Sequence, residues 1–403
     1  MVMLKGFLFA WLIAFSLATI AVAQNDQSGF ISIDCGIPAG SNYTDIITGI
    51  YYTSDVGYVS GGLSKSISPK YQSNSLEKSY LTLTSFPIGT KNCFILTPAR
   101  GIFGKYLIRA SFLYGDYDGN GQLPSFDIYI GENYWDTVTI SNASVPIRKD
   151  LIHTSSTDSV SVCLVKTDTT STPFISALEL RPLNITIYPT PTRSLNLYAR
   201  VDFGSLTNQY IRYNSDAYDR IWMPFIWNNK TIINTTQDVL ESSYRVPSAV
   251  MSTAVTSDPQ SAIDDSLKFY WTAKNISDKY YIYLHFAEVV ELQVAETREF
   301  SIYVNDNLFY GPMSPKYLST TTVYTISPAY GNERYNVVIN KTASSTLPPL
   351  INAVEIYKEI EADQQKNKGI MEFFIKGIED RDGELLGACV LVVHFVEFTF
   401  LCG

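Results

Sequence analysis

Lys105-Tyr106-Leu107-Ile108-Arg109-Ala110-Ser111-Phe112 and, 174 residues later, Lys279-Tyr280-Tyr281-Ile282-Tyr283-Leu284-His285-Phe286 are two versions of one segment. In the first, Tyr106, Ile108, Ala110 and Phe112 alternate with Leu107, Arg109 and Ser111. In the second, Tyr280, Ile282, Leu284 and Phe286 alternate with Tyr281, Tyr283 and His285. A period of two with the bulky set on one side marks a β-strand that buries one face. The opposite set, His285 included, is expected at the surface.

The same doubling runs through the chain, as repeat architectures require. Phe30-Ile-Ser-Ile-Asp34-Cys-Gly36 returns as Tyr198-Ala-Arg-Val-Asp202-Phe-Gly204 at an offset of 168. Phe126–Ile130 returns as Phe300–Val304 at 174, and Pro173–Leu180 returns as Pro349–Ile356 at 176. The order is kept and the offset drifts slightly, as small loop insertions produce. Between Gly29 and Tyr357 no sustained 3.6-residue period appears, and short alternating runs are split by Gly, Pro, Asn and Ser clusters. This pattern predicts an all-β chain of two tandem antiparallel β-sandwiches of jelly-roll type. The expected division is a signal peptide over 1–23, one sandwich over 24–186, a linker over 187–194, a second sandwich over 195–358 and a divergent tail over 359–403. Pro189 and Pro191 make that linker stiff and unable to donate to a sheet.

The first residues set the compartment. Lys5, the apolar run Phe7–Ile20 and small Ala21-Val22-Ala23 before Gln24 have the layout of a secretory signal peptide. Asn42, Asn142, Asn184, Asn229, Asn234, Asn275 and Asn340 each open an N-x-S/T sequon, so a secreted or cell-surface glycoprotein is expected. A net charge of −9 disfavours nucleic acid as a partner. Cys35, Cys93 and Cys163 lie in the body and permit one disulfide, with the pair left open. No C-x-x-C or Cys/His cluster suggests a zinc site, and no cofactor is expected.

Phe30-Ile-Ser-Ile-Asp-Cys-Gly36, Tyr106–Gly119, Val162-Cys-Leu-Val165, Pro173-Phe-Ile-Ser-Ala-Leu-Glu-Leu-Arg-Pro182 and Tyr218-Asp-Arg-Ile-Trp222 together resemble the malectin-like ectodomain of plant leucine-rich-repeat receptor-like kinases. The resemblance covers Gly29 to Tyr357 and implies a cell-surface receptor part, which in that family precedes leucine-rich repeats, a membrane helix and a kinase. After Glu361 the sequence carries no L-x-x-L-x-L repeat, glycine loop, H-R-D or D-F-G motif. Its apolar run Leu385–Leu401 is interrupted by His394 and Glu397. We read this run as an incidental tail of a shortened receptor product, with a spanning helix or lipid-anchor signal as the alternative.

The resemblance and the residues point to recognition without catalysis. His153, His285 and His394 have no nucleophile motif beside them, and no G-x-S-x-G occurs. A carbohydrate-active enzyme, needing two carboxylates across a cleft, is the remote alternative. Asp116-Tyr-Asp118-Gly-Asn120-Gly121, with Asp127 at the twelfth position, imitates half a calcium loop but reads more simply as a polar turn. For a cell-wall glycan, the expected contacts are Tyr51, Tyr52, Tyr114, Asp116 and Tyr117 in the first sandwich, aromatic faces and hydroxyl acceptors together. Animal malectin carries Asp-Asn-Pro before its last strand, whereas this sequence has Ser171-Thr172-Pro173 and Leu347-Pro348-Pro349. It also departs from malectin's adjacent aromatics at Ala287-Glu288-Val289-Val290-Glu291. For a peptide ligand, the candidate seat is a groove between the sandwiches lined by Trp222 and Trp227, set against the reading that both tryptophans pack beneath a loop of their own domain. A receptor partner at the cell surface, or a structural co-receptor role without sugar binding, completes the set.

Overall fold

The repeated Asp-x-Gly motifs sit where backbone meets backbone. A Cβ on Gly36 would lie 2.3 Å from the Leu83 carbonyl oxygen, and one on Gly204 would lie 2.6 Å from the Ala254 nitrogen. No side chain fits at either point, which is why glycine closes the first strand of both repeats. These strands, Ile31–Asp34 and Ser194–Asp202, also share an unusual pairing: each has a short parallel neighbour, Tyr51–Ser54 and Met223–Pro224 respectively.

The computed structural model describes residues 26–169, 171–190, 194–257 and 266–360, and the backbone of 390–394 and 397–401. The fold is all-β, in several sheets. The first core lies between the strands Ile31–Asp34, Ala177–Leu183, Lys105–Phe112 and Ile147–Thr154 and a second sheet ordered Lys91–Leu96, Val160–Val165, Ser125–Ile130, Asn133–Thr139. Ile108, Phe112, Phe126, Ile128, Val162 and Leu164 fill it. The second core repeats the plan with Ser194–Asp202, Ala353–Ile360 and Tyr280–Phe286 against Leu267–Thr272, Arg334–Lys341, Phe300–Val304 and Asn307–Met313. Ile282, Leu284, Phe286, Phe300, Ile302 and Val337 fill that one. Phe112 and Phe286 are both fully buried.

The two halves do not hang from a linker as separate bodies. Ile147–Thr154 pairs with Ser194–Asp202 through Leu151↔Asn196 and Ile152↔Leu195, so one eleven-stranded sheet among the described residues serves both cores. The described residues up to Ile360 form one compact unit. Tyr188 and Thr190 of the expected linker are buried, and the Lys105 ammonium donates to the carbonyl oxygens of Ile185, Ile187 and Tyr188. Pro191 lies outside the described residues.

The expected solvent face of this sheet is buried as well. All eight residues of Lys105–Phe112 and all seven of Tyr280–Phe286 are inside. His285 has no exposed surface, which corrects its expected place at the surface. A third apolar cluster explains this. Leu107, Ile152 and Leu183 from the first half join Tyr281, Tyr283 and Tyr357 from the second beneath Tyr218, Trp222, Tyr244, Val246 and Met251. Amphipathic alternation thus survives as two different buried layers.

Cys93 and Cys163, directly opposite on adjacent strands, form the disulfide, and Cys35 is a buried free thiol. The export segment 1–23 and residues 361–389 lie outside the described residues. In the tail, Val390–His394 and Glu397–Leu401 pair as an antiparallel hairpin. No helix among the described residues is long and apolar enough to cross a membrane, which says nothing about β-barrels.

Candidate functional site

The outer face of the shared sheet carries charge. Glu179 and Glu355, repeat-equivalent residues on the last strand of each half, each stand at the centre of a buried cluster. Glu179 binds the guanidinium of Arg181 at 2.6 Å and that of Arg212 at 3.0 Å, and accepts the Tyr52 hydroxyl at 2.7 Å. Glu355 binds Arg200 at 2.8 Å and accepts the hydroxyls of Tyr188 and Tyr357 at 2.7 and 2.6 Å. Burial pushes Glu179 up, but Arg212, Arg181 and Arg109 outweigh it and hold the carboxyl at about 2. Burial likewise acts on Glu355, and Arg200 heads the partners that take it well below the ordinary range.

Segment 211–222 seals this layer. Asp219 enters it in a left-handed conformation, bonded to Arg181 and Arg212 at 2.8 Å each, while its backbone carbonyl accepts from Arg109 at 2.7 Å. Arg109 grips Asp150 with two parallel bonds of 2.8 and 3.0 Å, and Arg200 reaches the same carboxylate from the other half at 3.2 Å. Asp216 takes Arg220 and the Trp222 indole N–H at 2.9 and 2.7 Å. Five arginines thereby meet five carboxylates with hydrogen bonds to match, the condition under which buried ions are tolerated.

Two expectations are corrected by this arrangement. The groove between the sandwiches is filled by the chain's own residues, so Trp222 is wholly buried and cannot line an open peptide seat. Tyr52, expected to meet sugar, is spent on Glu179 inside the same layer. Trp227 is half-buried against Phe203 and Phe269, with ring centroids 5.1 and 6.4 Å away. Tyr51, by contrast, is exposed.

The loop end of the first half gathers the remaining expected residues. Tyr114, expected to meet sugar, is buried instead; its hydroxyl donates to Asp118 at 2.6 Å and to Asp116 at 3.3 Å. Tyr117 lies half-buried on Phe174 and Tyr114, with centroids at 5.4 and 5.5 Å. Asp116 accepts the Gly121 N–H and Asp118 the Asn120 N–H, as in a capped polar turn, while Asp127 instead accepts the Thr137 hydroxyl. Beside this turn opens a polar cavity of about 180 Å³, lined by Tyr117, Asp118, Asn120, Gln122, Asp168 and Ser171 among others. Tyr51 and Tyr52 do not line it.

One match takes in the charge layer and nearly all of both cores: residues 33–359 correspond to the malectin-like domain. The chain belongs to the malectin-like family. A leucine-rich repeat receptor-like protein kinase of Arabidopsis thaliana is 42% identical over 366 residues, covering 89% of this chain and 41% of the relative. The LRR receptor-like serine/threonine-protein kinase IOS1 of the same plant is 40% identical over 364 residues, covering 89% and 40%. This malectin-like chain spans about two fifths of the length of the curated relatives it matches. Among solved structures, the ANX2 ectodomain from Arabidopsis thaliana is similar with a TM-score of 0.68 at 18% identity, over 82% of this chain and 97% of that one. A chain in the crystal structure of the plant peptide RALF23 in complex with FER and LLG2 is similar with a TM-score of 0.63 at 16% identity, over 83% and 96%. At such identities the likeness is one of malectin-like fold.

Sequence reasoning missed the charge layer, although a signal existed. Ser-Ala-Leu-Glu179-Leu and Asn-Ala-Val-Glu355-Ile put a carboxylate at the same repeat position, each flanked by apolar residues in a strand. A recurring acid in an otherwise apolar strand of a malectin-like repeat asks for a buried partner.

Proposed function

We propose that this chain is the non-catalytic, ligand-recognising ectodomain of a receptor-like protein at the cell surface, and that it takes a peptide ligand on its open surface with a second protein completing the site. The observation that carries this reading is the sealed inter-repeat groove. With Trp222, Asp219 and Arg212 packed into it, this body offers no interior seat there for a peptide. A peptide held on an outer surface buries more of its area when a second protein covers its other side. The complex of RALF23 with FER and LLG2 supplies a precedent for such a three-part assembly in a protein of this fold. The absence of turnover is supported by where the most strongly shifted carboxylates sit. Glu179, Asp219 and Glu355 are locked to arginines in the interior, and Asp34 and Asp202, which burial raises to about 7, are buried as well.

A second reading has its own observation. The cavity beside Tyr117 presents Asp118, Asn120 and Gln122, a set suited to the hydroxyls of a cell-wall glycan. Calorimetry on the secreted protein separates the two. Asn120→Ala with Gln122→Ala, both exposed, should abolish oligosaccharide binding under the glycan reading and leave peptide binding with a co-receptor intact under the first. Binding of neither class by folded protein would remove both readings in favour of a structural role.

A further inference from the structure

Just beyond the buried Trp222, the chain surfaces as an apolar strip. Met223 is 49% exposed, Phe225 47% and Ile226 65%, three neighbours in a stretch of four. Phe225 lies edge-on to Phe203 at 5.8 Å and to Trp227 at 6.3 Å, so the strip rests on an aromatic cluster whose outer side is open. Exposed apolar surface of this kind calls for an occupant.

The sequence supplies one two residues away. Asn229-Lys-Thr231 is the one sequon of the seven with an aromatic residue, Trp227, two positions before its asparagine. The chain turns there: the Lys230 N–H donates to the Trp227 carbonyl at 3.3 Å, and Asn229 takes a φ of 64°. Trp227 is therefore the first and Asn229 the third residue of one tight turn, with asparagine tolerating the left-handed position. Lys230 points inward, its ammonium 3.0 Å from both the Ser257 hydroxyl and the Ser266 carbonyl. Asn229 and Thr231 are left exposed on the outer side.

We propose that Asn229 carries an N-linked glycan whose innermost N-acetylglucosamine folds back onto Phe225 and Trp227, covering the strip. In the attachment, Asn229 Nδ2 bonds to the anomeric carbon of the sugar and loses a proton. The bond from that carbon to the pyrophosphate of the lipid-linked oligosaccharide donor breaks, and the pyrophosphate leaves with the electron pair. A sugar tethered two residues from an aromatic face is held at high effective concentration, so the apolar underside of the ring stacks there in preference to a free partner. The inference rests on the reading that the chain passes through the secretory pathway.

The test uses protein secreted from a eukaryotic host, with glycopeptide mass spectrometry of all seven sequons and thermal unfolding of variants. Asn229 is expected to be occupied, and Asn229→Gln to lower Tm by about 2 °C. Trimming every glycan to its first sugar should leave that difference in place. In a Phe225→Ala background, a change at the surface, Asn229→Gln should no longer lower Tm. Phe225→Ala should also be nearly neutral in unglycosylated bacterial protein. Additive effects of Asn229→Gln and Phe225→Ala would overturn the stacking and return the strip to a protein partner. A bare Asn229 beside other occupied sequons would overturn the inference alone, whereas seven bare sequons would overturn the export reading with it.

Discussion

Glu179 shows how one side chain can hold two repeats together. It sits on a first-half strand beside Arg109 and Arg181 yet also binds Arg212 from the second half, so the second half supplies one of its three arginine partners. Glu179→Gln would leave Arg109, Arg181 and Arg212 short of a counter-charge in the interior. We expect a loss of about 3–5 kcal/mol in urea unfolding at neutral pH. The pH dependence follows from the same shift. Because the folded-state value is about 2 and the ordinary one 4.5, the stabilisation is complete above about pH 4.5 and is lost as pH falls toward 2. Asp202 behaves oppositely. Burial raises it from 3.8 to about 7, so the folded chain keeps a proton that the unfolded chain releases, and stability should decline as pH rises from about 4 to 7. Asp202→Asn should flatten that decline, a change visible in unfolding midpoints measured across the interval.

At the scale of elements, the informative strands are Lys105–Phe112 and Tyr280–Phe286. Each buries one side in its own sandwich and the other under the 211–222 segment. Phe112→Ala and Phe286→Ala should each cost about 3–5 kcal/mol, since the surrounding rings cannot collapse into the space. Phe112 touches Phe126 and Phe174, and Phe286 touches Phe300. Joining two neighbouring strands, the Cys93–Cys163 bridge closes a separation of 70 residues. Replacing both cysteines by serine should lower stability by about 4 kcal/mol if the effect lies in the unfolded chain. A chemical denaturation curve of the double variant checks this.

The molecule as a whole should unfold as one. We propose that the halves 24–186 and 195–358, although they have separate cores, are not separable domains in solution. Cutting between them would expose Leu107, Ile152 and Tyr281 along with Arg109 and Arg200. Calorimetry of residues 24–360 should give a single transition, with the calorimetric and van't Hoff enthalpies in agreement. Either half expressed alone should aggregate or stay unfolded. Two well-spaced transitions would contradict this view of the shared sheet.

The repeats were legible because a strand pattern of period two is written locally. Phe126/Ile128/Ile130 and Phe300/Ile302/Val304 declare their buried faces without reference to anything distant. The glycines of Asp-Cys-Gly36 and Asp-Phe-Gly204 could be seen to recur, though only packing gives the reason, an approach too close for a Cβ. The site was harder to read, since alternation says which face is apolar and not what covers the other. Arg109, His285 and Tyr52 look like surface residues in the sequence because their type is polar. Their burial depends on Asp219, Trp222 and Glu179, which reach them from up to 127 positions along the chain. Local sequence thus determined the strands, the doubling and the N-x-S/T motifs. Tertiary structure decided that the groove between the repeats is closed, because charge pairing over such separations is a property of the folded chain alone.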